Sequence, residues 1–277
     1  MKEKHIVAGL LFICCAAIVA FLAYKGFNTS EKTLTPHQAS TKFNADFADI
    51  ISQATKKLTD IERAFVNEQG QRAKNTDTVV AFDACRTLVK FWDSVERFDV
   101  AGYYYTQMYE RSPSEFNLMN ASQRYYEHAT VVADSSASAF FLKRAADGFK
   151  KALKQNPSNL DAKVGVAMCT VTDRNMVMQA IPMLKEVLAA DSNHIRANFV
   201  LGVLQIESGQ LPKALHSFEK LVSLQPSNGE FYFYLAEVQQ KIGNTQAAIF
   251  NYEQAKVHST NAASKEGIEQ IIKELKK

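Results

Sequence analysis

Apolar positions along most of the chain recur at spacings of three and four, which is typical of amphipathic helices. A longer pattern also repeats. It has a small residue, a large residue four positions later, another packing residue three positions after that, and a turn residue five positions further on. Its copies are Ala101–Tyr105–Met108–Pro113, Ala145–Phe149–Ala152–Pro157, Ala180–Leu184–Val187–Ser192, Ala214–Phe218–Leu221–Pro226 and Ala248–Tyr252–Ala255–Thr260. The last three turn residues lie 34 positions apart. A fixed period of this length predicts an array of structural repeats.

Each repeat has the features of two helices joined by a turn. In the two best copies a small residue, Gly202 or Ala236, stands twelve positions before the alanine of the second helix. A small residue in each helix lets the two backbones approach closely. Gly209 and Gly243 fall where the chain turns between the helices, a position that favours a residue able to adopt positive φ.

The best copy reads Asn198-x2-Leu201-Gly202-x2-Gln205, then Ala214-x3-Phe218, then Pro226. It resembles the tetratricopeptide repeat (TPR) family, whose pattern is W-x2-L-G-x2-Y, then A-x3-F, then P. The resemblance covers roughly residues 82–262. It implies an all-α fold, a TPR α-solenoid of about five helix-turn-helix units over residues 78–262, with a C-terminal capping helix over residues 263–277.

The unit between Pro113 and Pro157 is ten residues longer than the others. If Ala129-x2-Val132-Ala133 packs between the helices, the excess lies at the start of the first helix. If Ser122 and Tyr126 are the packing residues, the excess lies near residues 135–138. The sequence leaves both alternatives open.

A charge-free run of nineteen residues, Ile6–Tyr24, precedes the array. It is long enough to span a bilayer as a helix, so residues 1–25 are predicted to be a transmembrane anchor and residues 26–37 a linker. A cleaved signal peptide and a lipid-modified Cys14 or Cys15 are the alternatives. The lysines before and after this run are nearly equal in number, so they do not fix its orientation. A single N-terminal anchor favours placing the repeats outside the cytoplasm. The expected location is a bacterial inner membrane, crossed once, with periplasmic repeats.

Residues 38–70 carry an apolar stripe that predicts one amphipathic juxtamembrane helix. The stripe consists of Phe43, Phe47, Ile50, Ala54, Leu58, Ile61 and Phe65. It could pack on the first repeat, pair with a second copy through residues 43–65 as a homo-oligomer, or lie in the repeat groove as an internal plug.

Composition argues against several classes of function. The chain has 32 basic and 29 acidic side chains, a balance that is unlike a nucleic-acid-binding protein. No metalloprotease, hydrolase or phosphate-loop motif occurs, and the six histidines lack metal-ligand spacing. No enzyme activity, catalytic residue, metal or cofactor is therefore expected. Cys85 and Cys169 lie in different repeats and are expected to be packing residues without a disulfide.

The resemblance implies that the first helices of the repeats line a groove that binds protein partners or apolar peptide segments. The residues at the groove-facing offsets are Val164, Met168, Phe199, Val203, Ile206, Phe233 and Glu237. The alternative is that these side chains belong to the core.

The expected function is a membrane-tethered adaptor or chaperone-like scaffold for protein–protein interaction in the bacterial cell envelope. A cytosol-facing receptor of the import-receptor kind and a self-associating structural stalk are the alternatives.

Overall fold

The computed structural model describes residue 43 and residues 46–173 and 176–277. Every regular element in these ranges is an α-helix, so the predicted all-α fold is confirmed. The thirteen helices are α1 (Phe47–Lys56), α2 (Asp60–Arg72), α3 (Thr78–Ser94), α4 (Phe98–Arg111), α5 (Glu115–Val131), α6 (Ser135–Gln155), α7 (Leu160–Val171), α8 (Val177–Ala190), α9 (Ile195–Glu207), α10 (Leu211–Leu224), α11 (Gly229–Ile242), α12 (Thr245–His258) and α13 (Ala262–Leu275). The described chain forms two compact units, one up to Cys169 and one from Thr170 onward.

Side-chain caps and turn residues fix where the helices begin and end. Asp77 accepts hydrogen bonds from the backbone N–H groups of the first turn of α3, and Asn261 does the same for α13. Gly209, between α9 and α10, has φ of 71°, and Gly243, between α11 and α12, has φ of 92°. The predicted need for positive φ at these two glycines is therefore confirmed.

The repeated alanines form the contact points of the array. Ala101, Ala145, Ala180, Ala214 and Ala248 are all fully buried. The large residue four positions later is buried in four of the five copies, while Tyr105 in the first copy is half-buried. The helices are thus held close by small side chains, and large side chains fill the space beside them.

Helix α13 closes the second unit. Ile268 and Ile272 are buried against Tyr252 and Ala255 of α12, with Ile271 and Leu275 partly buried beside them. The apolar face of this C-terminal helix thus covers the last repeat.

The single helix predicted over residues 38–70 is wrong in the described part of that segment. The chain breaks after α1, because Thr59 and Glu62 form a reciprocal capping box that starts a second helix, α2. The predicted stripe is divided by this break, so Ile61 is 85% exposed. Ile50, Ile51 and Leu58 pack on the core that α3 and α4 form, as the first of the three packing alternatives predicted.

The structure also decides where the long repeat carries its extra residues. Ser122 and Tyr126 are each only 1% exposed, while Ala133 is exposed. The second alternative is therefore correct, and the excess forms the start of α6, which has 21 residues. The first alternative fails because Ala133 lies in the turn after α5 and not between two helices.

None of the helices within the described ranges is long and apolar enough to cross a bilayer. The predicted anchor at residues 6–24 and the linker at residues 26–37 lie outside the described residues.

A buried ionic network joins α3 to α5. The Arg124 guanidinium donates to both carboxylate oxygens of Asp93, at 2.7 and 3.0 Å, and to Glu127 at 2.9 Å. Arg124 and Glu127 are almost fully buried. Burial alone lowers the pKa of Arg124, but the two carboxylates outweigh it and the pKa is raised, so the cation persists.

Loss of the Arg124 cation should destabilise the first unit strongly. Arg124→Met removes the cation that the carboxylates of Asp93 and Glu127 share, and we expect a loss of about 3–5 kcal/mol in the free energy of unfolding by urea. The control is Arg86→Met, because the Arg86–Asp83 pair is 3.8 Å long and exposed and should contribute less than about 1 kcal/mol. Equal losses for the two variants would contradict this assignment.

Close approach of α7 to α6 should make Gly165 intolerant of a side chain. A Cβ at Gly165 would lie 2.6 Å from the buried ring of Phe149. Gly165→Ala should therefore cost about 1–3 kcal/mol in thermal or urea denaturation. In Gly267→Ala the new Cβ meets nothing within 4 Å, so that variant should gain up to about 1 kcal/mol from helix propensity. A neutral Gly165→Ala would show that the helices are not in tight contact.

Candidate protein-interaction surfaces

Four of the seven predicted groove residues are in the interior. Val164 and Met168 on α7 are 0% and 2% exposed, and Phe199 and Val203 on α9 are 1% and 7% exposed. Phe199 packs against rings of α10 and α11, with its centroid 5.2 Å from that of Tyr234. Their burial fits the alternative that these side chains belong to the core. The offset within a repeat identifies a helix face but not whether a neighbouring helix covers it.

The other three predicted residues remain partly accessible. Ile206 lies in the last turn of α9, while Phe233 and Glu237 share one face of α11. The Phe233 ring contacts Tyr252 of α12 at a centroid distance of 5.5 Å. Glu237 forms a 3.6 Å ion pair with Lys241, one turn further along α11. The structure thus brings Phe233 and Glu237 together on one surface.

The four consecutive aromatic residues from Phe231 to Tyr234 divide between core and surface. Phe231 and Tyr234 are buried, while Tyr232 and Phe233 are half-buried. Tyr232 stacks on His258 with ring centroids 5.5 Å apart and an interplanar angle of 10°. The four rings therefore do not share one core, and Phe233 is the ring that shares a surface with Glu237.

Glu230 completes this surface and was not predicted from the sequence. It precedes Phe233 by three residues, so Glu230, Phe233 and Glu237 form one stripe, named here the Phe233 face. Its Oε1 atom is buried and has no hydrogen-bond partner among the residues that the structure describes. Burial raises the pKa of this carboxyl to about 8. A glutamate in the first turn of a helix is ordinary in a sequence, so no local signal marked it.

A second surface, in the first unit, is rich in aromatic rings. It consists of Tyr103 on α4, Tyr125 on α5 and Phe140, Phe141 and Arg144 on α6, and is named here the aromatic surface. The chain's own Phe43 and Phe47 lie on it, and Phe47 stacks on Tyr103 at 4.9 Å. Sequence periodicity predicted that these two phenylalanines would be covered, but not which rings would cover them.

A cleft of 820 Å³ opens between α1, α2 and the first repeat. Cys85 lies on its wall and is 1% exposed, and burial raises the pKa of its thiol to about 11. A thiol in this state is a poor nucleophile. Cys85 and Cys169 are not bonded to each other in a disulfide. No group of three or more metal-ligating side chains occurs among the described residues.

The raised pKa of Glu230 predicts a specific pH dependence of stability. The unfolded carboxyl loses its proton near its ordinary pKa of 4.5, whereas the folded one keeps it to about 8, so stability falls as pH rises between these values. At about 1.4 kcal/mol per pKa unit, the loss is on the order of a few kcal/mol. Glu230→Gln should remove this loss of stability. The variant should therefore be more stable than wild type, and the difference should be larger at pH 8 than at pH 5.

Denaturation by urea at a series of pH values would test this, with Glu237→Gln as the matched control on the same helix face. The control should follow the wild-type curve. A wild-type slope retained in Glu230→Gln would show that the Glu230 carboxyl is solvated.

Comparisons with known proteins agree with this architecture. The tetratricopeptide repeat family model matches residues 195–228, the segment from α9 to the end of the turn after α10. A thermophilic TPR protein of Thermus thermophilus, TTC0263, has a similar crystal structure with a TM-score of 0.55 and 16% sequence identity, covering 70% of this chain and 98% of that one. MamA (residues 41 to the end) of Desulfovibrio magneticus RS-1 gives a TM-score of 0.45 at 19% identity, covering 65% of this chain and 93% of that one.

No curated protein sequence matches the chain. At these identities the structural likeness shows the fold alone. The described helices nevertheless follow the TPR order of paired helices, with a recognised repeat among them. Residues 195–228 therefore match a tetratricopeptide repeat, and the described helices have a TPR-like all-α fold.

Proposed function

We propose that this protein is a membrane-tethered TPR scaffold that binds protein partners in the bacterial cell envelope, in the manner of an adaptor or chaperone. The fold supports this because a repeat array presents a long surface and few enclosed sites. The apolar run at residues 6–24 supports a tether, with the repeats on the periplasmic side. The TPR fold itself also supports a scaffold for protein interactions.

The Phe233 face is the proposed binding site for partners, and one observation carries this proposal. The Glu230 Oε1 atom is buried without a hydrogen-bond partner among the described residues, beside a half-exposed aromatic ring. An unsatisfied buried carboxyl is costly for the free protein. A partner that places a donor, such as an amide or a cationic side chain, next to Phe233 would relieve that cost once the Glu230 side chain turns toward it.

The chemistry of the face indicates the kind of ligand. Phe233 offers apolar contact, Glu230 offers an acceptor, and Glu237 is already neutralised by Lys241. A peptide segment with an apolar side chain close to a donor fits this arrangement. Four of the predicted groove residues are buried, so the proposed ligand contacts α11 and its surroundings and not a continuous apolar groove.

Site-specific cross-linking should identify the partners. With a photoreactive residue in place of Phe233 in the full-length protein in its native membrane, we expect covalent capture of envelope proteins. The same residue in place of Phe250, an aromatic side chain on α12 that is 59% exposed, is the matched control and should capture far less.

Glu230→Ala should reduce the capture at position 233 several-fold, because it removes the proposed acceptor. Capture of cytosolic proteins alone would contradict the periplasmic location. Equal capture from positions 233 and 250 would contradict the Phe233 face as the site.

A further inference from the structure

The aromatic surface of the first unit already holds a ligand, which is the chain's own N-terminal segment (Phe43 and α1). The Phe43 ring lies 5.5 Å from Phe140 and 6.0 Å from Phe141. Phe47, four positions later, contacts Tyr103 at 4.9 Å, Tyr125 at 6.0 Å and Phe141 at 6.3 Å. Two rings four residues apart thus hold the segment on this surface, while Ile50 and Ile51 hold it on the core of α3 and α4.

Arg144 is the central residue of this surface. Its guanidinium carbon lies 4.9 Å from the centroid of Phe47, 5.3 Å from Tyr125 and 5.5 Å from Phe140. The ring of Phe47 therefore receives both stacking and cation–π contact. No carboxylate among the described residues forms a salt bridge with Arg144, so its charge is available to an acidic ligand.

The walls of the surface are held by contacts that do not involve the N-terminal segment. Tyr125 is 3% exposed, and its hydroxyl shares a 3.0 Å hydrogen bond with Thr106 of α4. Phe141 is 1% exposed and packs edge-on against His128 at 4.6 Å. The surface would therefore persist if the segment left.

The segment contributes few fully buried side chains, although Ile50 and Ile51 pack on the core that α3 and α4 form. Of the ten residues of α1, only Ala54 and Thr55 are buried. The capping box of Thr59 and Glu62 starts α2, and Arg63 of α2 donates to the backbone carbonyl oxygens of Thr55 and Leu58 at the end of the segment. A helix of ten residues is too short to be stable alone, which means that α1 depends on its docking contacts.

We propose that the aromatic surface is a docking site for segments of partner proteins that carry two aromatic side chains four residues apart and a carboxylate beside them. The N-terminal segment, with Phe43, Asp46 and Phe47, occupies the site as an exchangeable internal ligand. Its occupancy lowers the apparent affinity for any partner by the fraction of time that the site is filled. The proposal concerns a different surface from the Phe233 face, so either can fail without the other.

The test uses the detergent-solubilised full-length chain and a fluorescent synthetic peptide of residues 43–57 as the probe. Phe43→Ala/Phe47→Ala empties the site, and anisotropy should show peptide binding at least tenfold tighter than to wild type. A peptide in which both phenylalanines are alanine should bind to neither protein. Equal affinity of the peptide for the two proteins would overturn the proposal.

Arg144→Leu, added to the emptied variant, should weaken peptide binding at least fivefold. Lys143→Gln is the matched control, because Lys143 is the neighbouring cation, points to solvent and pairs with Asp147. If Lys143→Gln weakens peptide binding as much as Arg144→Leu does, the effect arises from the net charge of the protein and the role assigned to Arg144 is wrong.

A second measurement keeps the proposal testable if the emptied variant folds poorly. Benzoylphenylalanine at position 43 of the otherwise unchanged chain should cross-link to the α6 peptide that contains Phe140 and Phe141, and excess 43–57 peptide should suppress this product. If millimolar peptide fails to suppress this cross-linked product, the N-terminal segment is a fixed part of the fold and the proposal is overturned. Cross-links between differently labelled chains would show a second copy as the occupant and would overturn the internal assignment.

Discussion

The structure depends on close contact between helices at small residues. The alanine that begins each copy of the repeat pattern is fully buried, and glycine takes the contact position where the neighbouring ring is nearest, as at Gly165 beside Phe149. The other features are arranged around these contacts. Because each contact joins adjacent helices, the array is built from local interactions, and an irregularity in one repeat changes only its surroundings.

The long second repeat shows what such an irregularity provides. The added residues extend the start of α6, which carries Phe140 and Phe141 and, one turn further along, Arg144. These residues form much of the surface that holds Phe43 and Phe47. An insertion that leaves the repeat contacts intact has thereby supplied a separate surface, which is how repeat proteins gain binding sites without losing their core.

Two buried charged groups, Arg124 and Glu230, differ in how well they are satisfied. Arg124 is surrounded by the carboxylates of Asp93 and Glu127, so its burial fixes the packing of α3 on α5. Glu230 is buried with one oxygen unpartnered among the described residues, and burial raises its pKa. A satisfied network is explained by stability alone. An unsatisfied group in a native structure requires another explanation, and contact with a partner supplies one.

The sequence alone determined the period of the repeat, the order of paired helices, the glycines of the two turns and the apolar face of α13. These features follow from local preference and periodicity, which each helix expresses by itself. Only the tertiary structure decided that residues 47–72 form two helices, that Phe199 and Val203 are covered, that Glu230 is buried with an unpartnered oxygen among the described residues and that Arg144 lies over Phe47. Periodicity identifies the apolar side of a helix, whereas burial, pairing and pKa depend on which other helix comes to lie against it.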